Sequence, residues 1–275
     1  MIAWDGTADA NGARKAMKGF GTDEKMLIKH LAHLDPLQVE VVRNTYNKLH
    51  SRHLLNDVQG ETSGWFEAGL CAIIRGPLQQ DVVNLREAMD GPGTKEKVLN
   101  DILLGRSNAD IKAIKSLYQR TYHQPLETAI KADLSMKTER HFLMVLSANR
   151  AEDAAPVIPQ EVDRDAQEIY KATEGMVGTD ELLVCNILSQ RNDAQIRAIA
   201  NAYKAKYSRD LESVIKSVSF PYFGCCARAN VNRNSLVIWK MHSSTNFALE
   251  LIKQCVMLFF SKNQCPEWVP RIVCS

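Results

Sequence analysis

Apolar residues recur along this chain at helical spacing, and they do so three times. Counted from Gly21, Gly93 and Gly178, a leucine lies ten residues on in each segment: Leu31, Leu103 and Leu188. At eighteen residues stand Val39, Ile111 and Ile196; at twenty-one, Val42, Ile114 and Ile199; at twenty-five, Tyr46, Tyr118 and Tyr203. The steps of three and four place these last positions on one face of an α-helix. No period-two alternation bounded by hairpin signals interrupts the pattern, which predicts an all-α fold of short helices, four or five to a repeat.

Each repeat is marked by a glycine loop: Lys18-Gly-Phe-Gly-Thr-Asp-Glu24, Asp90-Gly-Pro-Gly-Thr-Lys-Glu96 and Gly175-Met-Val-Gly-Thr-Asp-Glu181. Thr22, Thr94 and Thr179 are expected to N-cap the helices that follow, with acidic residues in the first turn complementing the helix dipole. A full capping box is absent there, because its glutamate position holds Lys25, Lys97 and Leu182. The first two loops are 72 residues apart and the next two 85. The excess falls on Ala151 to Pro159, whose two prolines and small residues read as a linker. Repeats one and two are therefore expected to form one unit, with the third joined through an extended segment. A helical solenoid whose glycines merely turn corners stays open on the pattern alone.

Composition narrows the function classes. With 275 residues, 45% hydrophobic and 24% charged, the chain can build a sizeable core, and extensive disorder or a collagen-like structure is excluded. The net charge of +2 is too balanced for a nucleic-acid-binding protein. It is also uneven: residues 219–275 carry Arg228, Arg233, Lys240, Lys253, Lys262 and Arg271 against Glu250 and Glu267, which leaves −2 on residues 1–218. No run of eighteen apolar residues exists, and the first ten residues lack a basic and an apolar leader region, so neither a membrane span nor conventional secretion is expected. Cys71 and Cys185, the only cysteines before residue 219, sit in apolar helical patterns and read as buried, inert free thiols of a reducing, cytoplasmic compartment.

Catalytic chemistries find no foothold. His30/His33 and His50/His53 stand at i, i+3 without a His-Glu-x-x-His pattern and read as solvated helix-face residues. The loops lack phosphate-binding glycine spacing, and no nucleophile, base and orienting group can be assembled locally. The chain is expected not to be an enzyme.

A glycine-bracketed turn can instead aim successive carbonyl oxygens outward, and neutral oxygens suit Ca2+, which tolerates irregular geometry. Such a site needs an anionic ligand. Thirty-eight residues separate Thr22 from Glu61, and thirty-eight separate Thr94 from Asp133. This combination, Lys-Gly-x-Gly-Thr, thirty-eight residues, then Asp or Glu, repeated at about seventy residues over positions 8 to 217, resembles the annexins.

The resemblance implies repeats of about five short helices in right-handed superhelical packing, truncated relative to a four-repeat core. It places repeat 1 at 8–80, repeat 2 at 81–150, a linker at 151–163 and an incomplete repeat 3 at 164–217. It also implies reversible, calcium-dependent peripheral binding to acidic phospholipid membranes. The first Ca2+ would be held by the carbonyls of Met17, Gly19 and Gly21 with the carboxylate of Glu61. The second would use Met89, Gly91 and Gly93 with Asp133. Phe20, at the tip of the first loop, either dips among headgroups or packs back onto the protein. A calcium-independent helical scaffold with degenerate sites is the alternative, together with a protein partner or self-association through unpaired repeat faces.

Departures from the family pattern set further expectations. Asp90 and Lys95 stand where the first loop has Lys18 and Asp23, and Met136 replaces the glycine of Ser63-Gly64. The third loop has one extra residue between its glycines, and thirty-eight residues after Thr179 lead to Val218, so a third site is expected to be weak or absent. The pattern breaks at Val218-Ser219, a pair that the common intron-start sequence GTGAGT encodes, and residues 218–275 are expected to derive from intron or out-of-frame sequence. An uninterrupted exon reaching Ser275 in the mature transcript would refute this. The rival reading is a genuine tail in which Phe247–Phe260 forms a helix that caps the core or touches a membrane. Zinc spacing around Cys225-Cys226 is poor.

Overall fold

The computed structural model describes residues 4–19, 21–91, 93–104, 106–175 and 179–217; Phe20 and residues 218–275, with the expectations placed on them, lie outside these. The described residues form helices and no strand. In the first repeat these are α1 (Thr7–Ala16), α2 (Glu24–Leu31), α3 (Pro36–His50), α4 (Leu54–Glu61) and α5 (Gly64–Arg75). In the second they are α6 (Pro77–Ala88), α7 (Glu96–Leu103), α8 (Asn108–Tyr122), α9 (Leu126–Asp133) and α10 (Met136–Leu146). The third shows α11 (Pro159–Thr173), α12 (Glu181–Gln190), α13 (Asp193–Tyr207) and α14 (Leu211–Ser217).

The repeating apolar positions are the core. Leu31, Val39, Val42 and Tyr46, with their counterparts in the next two repeats, are each 2% exposed or less. The helix that carries the tyrosine is fifteen residues long in every repeat and opens on a capping box: Asp35 with Gln38, Ser107 with Asp110, Asn192 with Gln195. It ends on a residue in the left-handed region, Ser51, His123 or Ser208, at φ of 50°, 54° and 56°. Start, buried stripe and stop thus recur together, which is how one local sequence recipe yields three copies of one element.

Two expectations are corrected. Residues 4–80 form one compact unit and residues 81–217 a second, so the second and third repeats belong together rather than the first and second. Side chains across the linker explain this: Asn108 donates to the Arg150 carbonyl at 2.8 Å, and Arg150 pairs with Asp193 at 2.8 Å. Asn192 donates to the carbonyls of Glu152 and Ala155, and Gln195 to that of Pro156, so the capping residues of α13 also hold the linker. The non-helical stretch is also shorter than 151–163, because α11 begins at Pro159, whose fixed φ suits the first helical position. Cys71 and Cys185 are buried free thiols, and burial pushes the Cys71 thiol up to about 11. Among the described residues no helix is long and apolar enough to cross a membrane.

Candidate functional site

In the first loop Gly19 and Gly21 take φ of 127° and 86°; in the second, Gly91 and Gly93 take 101° and 84°. A Cβ at any of the four would meet nothing within 4 Å, so the backbone conformation, not crowding, is what calls for glycine. Each loop is closed at its base by a backbone bond of 2.9 Å: Asp23 N–H to Ala16, Lys95 N–H to Ala88, Asp180 N–H to Ala172. The closure spans seven residues in the first two loops and eight in the third, where the extra residue lies. Among the described residues no backbone N–H donates to the carbonyls of Met17, Gly19, Gly21, Met89, Gly91 or Gly93. Among the described residues these oxygens therefore keep both lone pairs free of main-chain donors, which suits ligands for a hard cation.

The loop threonines overturn the capping expectation. The N-cap of α2 is Asp23, which accepts from Met26 N–H at 3.0 Å, and that of α12 is Asp180, which accepts from Leu183 N–H. Lys95 occupies the cap of α7 without a side-chain bond. The threonines reach across the fold instead. Thr22 Oγ1 donates to the Glu61 main-chain carbonyl at 2.8 Å and lies 3.4 Å from Glu61 Oε2. Thr94 Oγ1 donates to Asp133 Oδ2 at 2.5 Å. The structure therefore brings each carboxylate to its loop, and the threonine is the connection. A threonine separated by thirty-eight residues from a carboxylate in the first two loops was the signal for this role; a capping reading used only its local chemistry. Among the described residues Thr179 shows no such reach: it donates to Glu181, two residues on, which is also ion-paired with Lys137. Val218 lies outside the described residues.

The donor set fits a divalent cation: carbonyls in a loop turned by glycines at positive φ, with no main-chain donor to them among the described residues and one carboxylate held alongside. No group of three or more histidine, cysteine or acidic side chains that could hold a metal occurs among the described residues, so a side-chain cage is not what these loops offer.

Behind the loops, buried charges brace the helices. Asp57, on α4 one turn before Glu61, accepts from Tyr46 Oη at 2.6 Å and from Arg52 at 2.6 to 3.0 Å. The Arg52 bonds hold its carboxyl below the usual range, while burial and the Asp57 bond push Tyr46 up to about 12. The first helix of each repeat carries an equivalent aspartate. Asp9 meets His30 Nδ1 at 2.9 Å, Asp81 pairs with Arg106, and Asp165 pairs with Arg191 at 2.6 Å. His30 is therefore not a solvated helix-face residue, since its ring lies against α1 where Gly12 leaves room. A Cβ on Gly12 would come within 2.3 Å of that ring. His50 is also drawn inward, its ring 4.9 Å from that of Tyr46; His33 and His53 are exposed.

Comparison with known proteins follows the repeats. The annexin family model matches residues 8–73, 80–145 and 164–218. Annexin C1 of Cryptococcus neoformans var. grubii is 41% identical over 218 residues, covering 79% of this chain and 46% of that protein. Human annexin A7 is 36% identical over 221 residues, covering 80% and 44% respectively. The chain thus spans less than half the length of these curated relatives. Among solved structures, annexin III superposes with a TM-score of 0.83 at 27% identity, covering 92% of this chain and 82% of that one.

Proposed function

Because this chain belongs to the annexin family, generally non-enzymatic proteins known for calcium-dependent phospholipid binding, we propose that it attaches reversibly to acidic phospholipid membranes through two Ca2+ sites. The first would use the carbonyls of Met17, Gly19 and Gly21 with Glu61; the second, those of Met89, Gly91 and Gly93 with Asp133. The observation that carries this reading is the threonine bond from each glycine loop to the residue supplying the carboxylate. Bound there, the ion would supply a Lewis-acidic bridge to lipid phosphate oxygens.

What the chain's own residues do follows from charge. One carboxylate contributes −1 toward a dication, so each site would keep a net positive charge facing the membrane. The −2 carried by residues 1–218 gives no attraction to an anionic surface without the ion. Thr94 fixes a carboxylate oxygen directly, while Thr22 fixes the main chain of Glu61 and leaves its longer side chain freer to adjust. The third repeat lacks this connection among the described residues, and we take it to be a weak site or none. Cytoplasmic residence with reversible membrane association belongs to the same proposal.

The test is co-sedimentation with phosphatidylserine vesicles across a calcium titration, with chelator and vesicle-free controls. Pelleting that needs both calcium and vesicles, reverses with chelator and is lost in the Glu61→Ala/Asp133→Ala double variant supports the sites. A soluble protein that ignores vesicles at millimolar calcium sinks the proposal and leaves the calcium-independent scaffold.

A further inference from the structure

Met136 carries two unfavourable features at once: its side chain is 83% exposed, and its backbone sits at φ 54°. The turn it occupies is the same in both repeats. Ser63 (φ −148°, ψ 164°) leads into Gly64 at φ 63°, and Ser135 (φ −136°, ψ 162°) leads into Met136. Glycine takes that left-handed turn freely, whereas methionine takes it at a cost and gains no burial in return. Strain of this kind persists where surrounding structure enforces it, and the next residue, Lys137, is ion-paired to Glu181. Position gives the reason for the exposure. Met136 follows Asp133 by three residues, within about 10 Å along even an extended chain. In the first repeat the residue after the same turn is Trp65, four residues past Glu61 and 44% exposed.

Resting on the membrane-binding reading above, we infer that Met136 and Trp65 are lipid contacts that enter the headgroup and acyl boundary of an acidic phospholipid bilayer. Each works beside the carboxylate of its own repeat. The occupant is a bilayer because each exposed side chain lies within four residues of the carboxylate proposed to hold the bridging ion. Its chemistry also suits the two residues: tryptophan favours the membrane interface, and unbranched methionine adapts to an irregular apolar surface. Apolar contact would then add to ionic bridging, so attachment would depend on more than calcium affinity.

The experiment compares Met136→Gly with the parent protein in calcium titrations with phosphatidylserine vesicles. Lipid-free calcium binding and thermal unfolding are measured alongside. Glycine fits the turn, so folding should be kept or improved. The calcium needed for half-maximal pelleting should rise roughly tenfold, in line with apolar area returned to water, while lipid-free calcium binding stays unchanged. Quenching of Trp65 emission by brominated lipids, read in a Trp4→Phe/Trp239→Phe/Trp268→Phe background, should appear only with calcium. Unchanged pelleting of Met136→Gly overturns the inference whatever Trp65 reports. If the parent protein fails to pellet with vesicles, the membrane reading itself falls and this inference with it.

Discussion

The first and second repeats build the same glycine loop but brace the helices around it with exchanged residues. Asp9 on α1 and Asp81 on α6 are 72 residues apart, and both are largely buried. In the first repeat the partner is His30, on α2, and position 34 is a buried leucine; in the second the corresponding residues are Ile102, 6% exposed, and Arg106. Polar and apolar have traded places, and Gly12, where the second repeat has Asn84, makes the room that the His30 ring needs. The third repeat follows the second, with Ile187 and Arg191. The fold therefore requires that the buried carboxylate be paired, and two different geometries meet that requirement.

The largest test removes a partner. At pH 7, Arg106→Ala should cost about 3 to 5 kcal/mol in chemical denaturation, because Asp81 is left buried and unpaired. The matching disturbance in the first repeat, Gly12→Ala, should cost about 1 to 3 kcal/mol by forcing the His30 ring aside. Equal effects would mean that the two braces are interchangeable in strength as well as in place.

Next comes pH. Burial pushes the Asp81 carboxyl up to about 6, with Arg106 opposing, from a usual value of 3.8. The native state therefore holds that proton more tightly than the unfolded chain does. Its contribution is fully present below about pH 4 and is lost as pH rises through about 6. Asp81→Asn should flatten that part of the stability profile, and denaturation midpoints between pH 4 and 7 would show it. An unchanged slope would mean that other groups dominate the window.

The smallest effect concerns the loops. Thr94→Val, which removes the hydroxyl from Asp133, should weaken calcium binding at the second site roughly tenfold, and Thr94→Ser should restore it. Thr22→Val should cost the first site less, because its shorter bond is to the Glu61 main chain. Isothermal calorimetry on single-site variants separates the two; equal losses would remove the distinction between a fixed aspartate and a freer glutamate.

The helices were legible in the chain because each repeated apolar stripe reports its own burial. Tyr46, Tyr118 and Tyr203 are fully buried where the spacing placed them. The first two loops were legible because glycine at fixed positions announces a backbone that other residues avoid, and Gly19, Gly21, Gly91 and Gly93 all have positive φ. Side-chain roles read from local chemistry fared worse. Threonine before a helix looks like a cap, yet Thr22 and Thr94 bond residues 39 positions away, and helix-surface spacing made His30 look solvated until α1 packed against it. The grouping of repeats failed for the same reason: a proline-bearing linker suggests separation, and only the bonds from Asn192 and Gln195 show it held against the third repeat.

Sequence alone thus determined the helices, their buried faces, the loop conformations and the spacing between loop and carboxylate, because these depend on neighbours along one strand of chain. Tertiary structure decided which donor each carboxylate met, which repeats packed together and which apolar side chains stayed outside. Those outcomes depend on distances between residues far apart in sequence, where a single hydroxyl, ring or ion pair chooses among several partners that local pattern leaves equivalent.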